Sequence, residues 1–92
     1  MESSKLTHIP RDILKLTELK RLDFCGNKIK YVPKFLLGLI ELEMLDLRSN
    51  EIEEIPLWIT KFSKLVWVGL TEEILKNKKQ IENIKGISFC FN

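Results

Sequence analysis

The sequence predicts an α/β fold assembled from one small repeating unit, and three observations support this prediction. The stretch "RLDFCGNKIKYVP" at residues 21–33 returns as "MLDLRSNEIEEIP" at residues 44–56, a step of 23 residues. At the start of each copy, apolar and polar side chains alternate with a period of two, which is typical of a β-strand. An asparagine and an aliphatic–proline pair then follow at fixed positions. Repetition at such a period indicates stacked, similar units.

The repeat extends beyond these two copies, because the apolar positions stay in register through nearly three units. The aligned sets are Leu19, Leu42 and Leu65; Leu22, Leu45 and Val68; Phe24, Leu47 and Leu70; Asn27 and Asn50; Ile29 and Ile52; and Val32-Pro33 and Ile55-Pro56, preceded by Ile9-Pro10. So many positions in register indicate genuine repetition of a structural unit.

Each unit after the first is predicted to contain one short strand that pairs in parallel with the strand one unit away. The first, incomplete unit is predicted to have no strand. In the first copy Leu22 and Phe24 point into the protein, whereas Asp23 between them points out. The asparagine amide can donate to and accept from the backbone of adjacent turns, which satisfies buried polar groups there. The proline opens a segment with apolar residues at every third position, which suits a 3₁₀-like or loose helical path.

The segments "LKRLDFCGNKI" and "LEMLDLRSNEI" fit the pattern L-x-x-L-x-L-x-x-N-x-L, with Phe24 in place of one leucine. On these residues the chain resembles the leucine-rich repeat family, and the aliphatic–proline ending and 23-residue length look like its intracellular class. The resemblance is strong over residues 5–70 and weak over 84–92. It implies a short solenoid with a parallel sheet of three or four short strands on the concave face. Loop, 3₁₀ and helical segments would form the convex face.

The length of 92 residues predicts a single domain, residues 1–92. Its expected parts are an incomplete N-terminal unit at 1–18, regular repeats at 19–41 and 42–64, an irregular repeat with a terminal helix at 65–83, and a terminal strand at 84–92. Thr71 is a suitable N-cap for that helix. In the terminal strand Phe89 is predicted to stand where Phe24 stands in the first repeat. The alternative is a frayed tail.

The outward strand positions are the first candidates for function, because the resemblance makes them the concave face, the usual partner surface of the family. The predicted columns are Arg21, Met44, Trp67 and Gly86; Asp23, Asp46, Gly69 and Ser88; and Cys25, Arg48, Thr71 and Cys90. The candidate partner-binding residues are Arg21, Asp23, Met44, Asp46, Arg48 and Trp67. An aromatic residue beside arginine is typical of interface hot spots. The alternative is that Trp67 only shields the sheet.

Two further surfaces are candidates. Apolar residues replace polar ones on the convex side at Phe35, Leu37, Ile40, Leu57 and Trp58, where they serve either a partner or lateral packing between units. Lysines lie near the edges at Lys28, Lys30, Lys34, Lys76, Lys78 and Lys79, where they are either solvated or in contact with RNA phosphates. The matching edge of the next unit is acidic, with Glu51, Glu53 and Glu54, so any basic stripe is interrupted.

Composition excludes several classes of protein. The net charge is only +2, so charge alone does not indicate a polyanion partner. The single histidine, His8, forms no recognisable catalytic arrangement, and no catalytic, cofactor or metal residues are expected. Cys25 and Cys90 are expected three strands apart, too far for a disulfide. No membrane span or secretory signal is expected, so the predicted location is intracellular, in the cytoplasm.

Two hypotheses about function follow. The first is a non-catalytic protein–protein interaction scaffold that binds a partner through a concave face centred on Trp67, Met44 and Arg21. The alternative is a small accessory subunit of a ribonucleoprotein such as a ribosome, with the apolar convex surface on protein and the lysine-rich edges on RNA phosphates. Neither hypothesis includes a small-molecule substrate.

Overall fold

A computed structural model describes residues 6–77 and 84–92 of the chain. Within these residues, short strands alternate with short 3₁₀ helices. The strands are β1 (Arg21–Asp23), β2 (Met44–Asp46), β3 (Trp67–Leu70) and β4 (Ser88–Phe91). The 3₁₀ helices are η1 (Arg11–Lys15), η2 (Lys34–Gly38), η3 (Leu57–Lys61) and η4 (Glu72–Asn77). None of the helices in the described part is long and apolar enough to cross a membrane.

The strands form one sheet in the order β1-β2-β3-β4, and every neighbouring pair is parallel. Arg21 lies opposite Met44, and Met44 lies opposite Trp67, so the strands of successive units are offset by the 23-residue step of the sequence. The predicted parallel sheet with intervening 3₁₀ segments is therefore confirmed.

The predicted register of β4 is wrong by two residues. Phe89 lies opposite Val68, and Phe91 takes the place opposite Leu70 that was predicted for Phe89. Gly86 has φ of +86°, a left-handed conformation that fits the bend before the strand rather than a strand position. Because side chains alternate with a period of two, this shift keeps the same residues on each face. The three outward columns end at Ser88, Cys90 and Asn92, rather than at Gly86, Ser88 and Cys90.

The core lies between the inner face of the sheet and the 3₁₀ helices, as the apolar columns predict. Phe24, Leu45 and Leu47 from the strand side are fully buried, as is Leu36 of η2. The buried apolar residues are Ile9, Ile13, Leu22, Phe24, Ile29, Val32, Leu36, Leu39, Leu42, Leu45, Leu47, Ile52, Ile55, Ile59, Leu65, Val68, Leu70 and Ile74. These residues form one continuous cluster, so each unit completes its core against its neighbours.

Each of the first three 3₁₀ helices begins directly after a proline. Pro10, Pro33 and Pro56 have φ of −68°, −72° and −68°, which the pyrrolidine ring imposes. The first turn then closes with a bond to the proline carbonyl, as from Leu36 N to Pro33 O at 3.1 Å. The predicted 3₁₀-like path after proline is confirmed at all three positions.

The asparagine corners are also confirmed. Asn27 Oδ1 accepts from Leu6 N at 3.1 Å, and its Nδ2 donates to Phe24 O at 2.9 Å. Asn50 Oδ1 accepts from Ile29 N at 3.0 Å, and its Nδ2 donates to Phe24 O at 2.8 Å. Both amides therefore bind a buried turn to the unit that precedes it, which is the reason for an asparagine at this position.

The end of the chain matches the prediction in part. η4 starts immediately after Thr71, whose hydroxyl donates to Ile52 O at 3.4 Å and so bonds to the preceding unit. The rest of the predicted terminal helix, residues 78–83, lies outside the described residues. The strand β4 pairs with β3 along its length, so the frayed-tail alternative is wrong for Ser88–Phe91. The domain boundaries proposed above stay a prediction.

Candidate functional site

The outward side chains of β2 and β3, with the residues that follow β2, form a cluster that is organised by contacts within the chain. Arg48 Nε donates to Asp46 Oδ1 at 3.0 Å, and Arg48 Nη2 donates to Asp46 Oδ2 at 2.9 Å. The guanidinium carbon of Arg48 lies 5.5 Å from the centre of the Trp67 ring. A bidentate ion pair and a cation–π contact thus hold Arg48 in one place.

Gly69 provides the space in which the Trp67 ring lies. A Cβ atom at this position would lie 2.6 Å from Asp46 Oδ1, 2.8 Å from Trp67 Cη2 and 3.0 Å from Arg48 Cγ. Glycine within a strand weakens it and often marks a close approach by other atoms. Here that approach comes from the three side chains of the cluster, so Gly69 belongs to it. We call Asp46, Arg48, Trp67 and Gly69 the tryptophan cluster.

The two repeated aspartates close the turns that follow their strands. Cys25 N donates to Asp23 Oδ1 at 2.9 Å, and Arg48 N donates to Asp46 Oδ1 at 3.1 Å. An aspartate that accepts from the backbone two residues later is a common turn-forming device. Sequence reasoning assigned these aspartates to partner binding alone. The signal for the turn was their shared position at the end of the strand.

Electrostatics within the tryptophan cluster favour the charged forms of both partners. Burial raises the pKa of Asp46, but hydrogen bonds from the side chain and backbone of Arg48, together with its charge, lower that pKa to below its usual value. The hydrogen bond from Arg48 to Asp46 likewise raises the pKa of the guanidinium. The pair is therefore ionised at neutral pH, and its two charges offset each other.

An apolar row lies beside the tryptophan cluster, toward the amino ends of the strands. Trp67 and Met44 are half-buried neighbours in register. Val66, which immediately precedes β3, has 54% of its surface exposed. Arg21 on β1 lies opposite Met44, on the side of Met44 away from Trp67, and is exposed. The sheet thus places Arg21, Met44 and Trp67 side by side, as predicted, whereas sequence reasoning missed Val66.

The predicted convex residues divide into two groups. Phe35 and Trp58 are half-buried and pack against the core, and Arg11 lies over the Phe35 ring at 5.4 Å. These contacts favour lateral packing for both aromatic residues. Leu57 is 80% exposed and Ile40 is 65% exposed. Leu37 is half-buried in η2. The structure therefore leaves two large exposed aliphatic side chains among the five candidates.

Acidic residues lie beside part of the predicted lysine edge in the described residues. Lys28, Lys30 and Lys34 are exposed. However, Lys30 lines one surface pocket with Glu51, Glu53 and Glu73. Lys78 and Lys79 lie outside the described residues, as does the side chain of Lys76. The interruption by acidic residues that the sequence predicts is therefore present around Lys30.

The two cysteines are half-buried and are not joined in a disulfide. The prediction that they share a column is wrong, because the shift of β4 places Cys90 opposite Gly69, in the column of Asp46. Across residues 6–77 and 84–92, no group of three or more His, Cys, Asp and Glu side chains is arranged to hold a metal ion. The best-organised polar arrangement on the sheet is therefore the tryptophan cluster.

Comparison with known proteins agrees with this geometry. A family model described as "Leucine rich repeat" matches residues 1–52, which is more than half of the 92-residue chain. No curated protein matches the chain. The matched residues contain β1, β2, η1, η2 and both asparagine corners, and the same arrangement of strand and 3₁₀ helix continues through β3. The chain therefore belongs to the leucine-rich repeat family.

Proposed function

We propose that this domain is a non-catalytic interaction module that binds a partner protein through the outward face of its sheet. Leucine-rich repeats typically serve as non-catalytic modules that mediate interactions between proteins, and the family supplies the general expectation. The observation that carries the proposal is the tryptophan cluster, in which Gly69 makes room for the Trp67 ring and Arg48 stacks against it.

The contacts of Trp67 support this role physically. A side chain that is already ordered loses little conformational entropy when a partner covers it. Aromatic side chains and arginines dominate the binding energy of many interfaces. Met44 is half-buried beside the ring, and Val66 is more than half exposed. Together they extend the apolar area that a partner would remove from water.

The ribonucleoprotein alternative receives no comparable support. Of the candidate lysines, Lys30 lies beside Glu51 and Glu53 in one surface pocket. Phosphate binding requires several cations that act together along one surface. We propose an intracellular setting, in the cytoplasm. Cys25 and Cys90 are not joined in a disulfide, which is consistent with a compartment that keeps cysteines reduced.

A binding experiment with two matched variants tests the proposal. The purified domain is used to capture partners from a cell extract after nuclease treatment and in about 0.5 M salt, where exposed charges are strongly screened. Each captured protein is then titrated against the native domain, Trp67→Ala and Leu57→Ala. Loss of a hot-spot residue costs about 2 kcal/mol or more, so Trp67→Ala should weaken binding about 30-fold.

Leu57→Ala is the control, because this side chain is 80% exposed and belongs to η3 rather than to the sheet. It should leave the affinity unchanged. Circular dichroism and thermal melting verify that both variants remain folded. If Trp67→Ala binds every captured protein as tightly as the native domain does, then the outward sheet face is not the binding surface and the proposal is wrong.

A further inference from the structure

We propose that the outward sheet face recognises a peptide segment that combines an acidic and an apolar side chain and lies across the strands. Its carboxylate would lie on Arg21, and its apolar side chain would lie over Met44, Val66 and Trp67. This inference rests on the proposed function, and it identifies the chemistry of the partner at that same surface.

The first argument is the distribution of charge along the row at the amino ends of the strands. Lys20 and Arg21 are exposed at β1, and neither forms an ion pair within the described residues. Glu43 occupies the position of Lys20 one unit later, at β2, and is half-buried. At β3 the same row consists of Val66 and Trp67. The row therefore changes from cationic to apolar across three strands.

The second argument is that the carboxyl ends of β2 and β3 already have their charges paired. Asp46 and Arg48 form a bidentate ion pair with each other. The carboxylate of Asp46 offsets the charge of Arg48, so Arg48 attracts a second carboxylate less strongly than Arg21 does, which has no ion pair in the described part of the chain. Asp23 at the carboxyl end of β1 accepts a bond from Cys25 N and would repel a second carboxylate. An acidic segment therefore fits the amino-end row.

The third argument is the separation between the two ends of that row. Arg21 and Trp67 are in register on β1 and β3, two strands apart. Two strand spacings amount to about 9.6 Å. A peptide in the polyproline II conformation covers this distance in about three residues, because each residue advances about 3.1 Å and every third side chain returns to the same face. A helix covers it in about seven residues at 1.5 Å each, a spacing that also returns to the same helix face.

A peptide display selection tests the inference. Random 12-residue peptides are selected on the native domain, on Arg21→Glu, on Trp67→Ala and on Lys61→Glu. Lys61 is an exposed cation of η3, so Lys61→Glu is the matched control for the charge reversal. On the native domain we expect enrichment of Asp or Glu about three or about seven positions from a large apolar residue.

The variants give separate readouts for the two ends of the segment. On Arg21→Glu, the acidic preference should be replaced by Lys or Arg, while the apolar preference remains. Fluorescence anisotropy with one enriched peptide should show that Arg21→Glu binds it at least about 5-fold more weakly than the native domain does. The reason is that an exposed ion pair contributes up to about 1 kcal/mol. Lys61→Glu should select the same peptides as the native domain. Circular dichroism confirms folding, and Arg21 is exposed enough for substitution without loss of structure.

The outcomes separate this inference from the proposed function. If the selected peptides require Trp67 but show no acidic preference, or keep it on Arg21→Glu, the inference is wrong while the interaction module stands. A random RNA pool is selected on the native domain in parallel. If no peptide is enriched, or if RNA is enriched in place of peptide, a peptide segment is not the occupant and the inference is also wrong. The proposed function fails only when captured proteins bind Trp67→Ala normally.

Discussion

Residues 21–33 and residues 44–56 share their apolar columns, yet their polar side chains differ in the bonds that they make. Asn27 bonds to Leu6 N and Phe24 O. Asn50 bonds to Ile29 N and Phe24 O and also donates to two carbonyls of its own turn, those of Leu47 and Arg48. Among the residues that the structure describes, the asparagine of the second copy therefore has more backbone partners than that of the first.

The turns differ in a related way. Gly26 has φ of +79°, and at the equivalent position Ser49 has φ of +57°. A non-glycine residue is rarely stable in this left-handed conformation without compensating contacts. Ser49 has them, because its N–H donates to Asn92 Oδ1 at 3.2 Å and its hydroxyl accepts from Asn92 Nδ2 at 2.8 Å. The second copy is thus tied to the end of β4, which shows that equal motifs have unequal roles.

The largest expected effect comes from alanine at the two asparagine corners. Asn50→Ala should lower the free energy of unfolding by about 3–5 kcal/mol, because it leaves Ile29 N and the carbonyls at the corner without their partner. Asn27→Ala should cost about 1–3 kcal/mol, since fewer buried groups of the described residues lose a bond. Urea denaturation at equilibrium measures both. Equal losses, or a larger loss for Asn27→Ala, would contradict the difference between the two corners.

An intermediate effect is expected where the third strand departs from the first two. Gly69→Ala would place a methyl group against Asp46 and Trp67, so the ring must leave the sheet. The free energy of unfolding should fall by about 1–3 kcal/mol, as for other overpacked sites. In a Trp58→Phe background, fluorescence should report a more exposed Trp67. Gly38→Ala is the control, since its new atom meets only Leu14 Cδ2 at 3.2 Å. An unchanged spectrum for Gly69→Ala would refute the arrangement described for the tryptophan cluster.

The smallest effect concerns the charge of Asp46, the aspartate of the second copy. The folded protein holds the pKa of Asp46 below its ordinary value, so the ion pair of Asp46 with Arg48 contributes stability at pH values above the ordinary pKa of about 4. That stability is lost as the pH falls through the lower, folded pKa. Asp46→Asn should therefore cost about 1 kcal/mol or less at pH 7, and less still near pH 3. Urea titrations at both pH values measure the difference. A cost that grows toward low pH would have the wrong sign and would exclude the ion pair as its source.

Much of the fold could be predicted because its determinants are local and repeated. The alternation around Leu22 and Leu45 places these residues in the interior, whichever residues they pack against, because it follows from the geometry of a strand. The asparagine corner was predictable for the same reason, because Asn27 and Asn50 occupy one position in two copies. The register of β4 was not predictable, because its repeat is irregular and Phe89 and Phe91 both fit an apolar column.

The candidate site was only partly predictable. The columns correctly place Arg21, Met44 and Trp67 side by side, because the 23-residue step sets the register of the first three strands. They do not show that Asp46 is already occupied by Arg48, since that depends on side-chain conformations. They also do not identify Val66, which precedes its strand and lies outside the alternating pattern.

The sequence by itself determined the repeat, the inward columns and the asparagine corners. These follow from backbone geometry, which requires the same residue types at the same positions in every unit. Only the tertiary structure decided how β4 joins the sheet and which outward side chains bind one another. The Trp67 ring has its place because Gly69, Asp46 and Arg48 meet it from two adjacent strands and the turn that follows β2. Such contacts depend on how side chains from different units pack together, and the period of the sequence does not determine that packing.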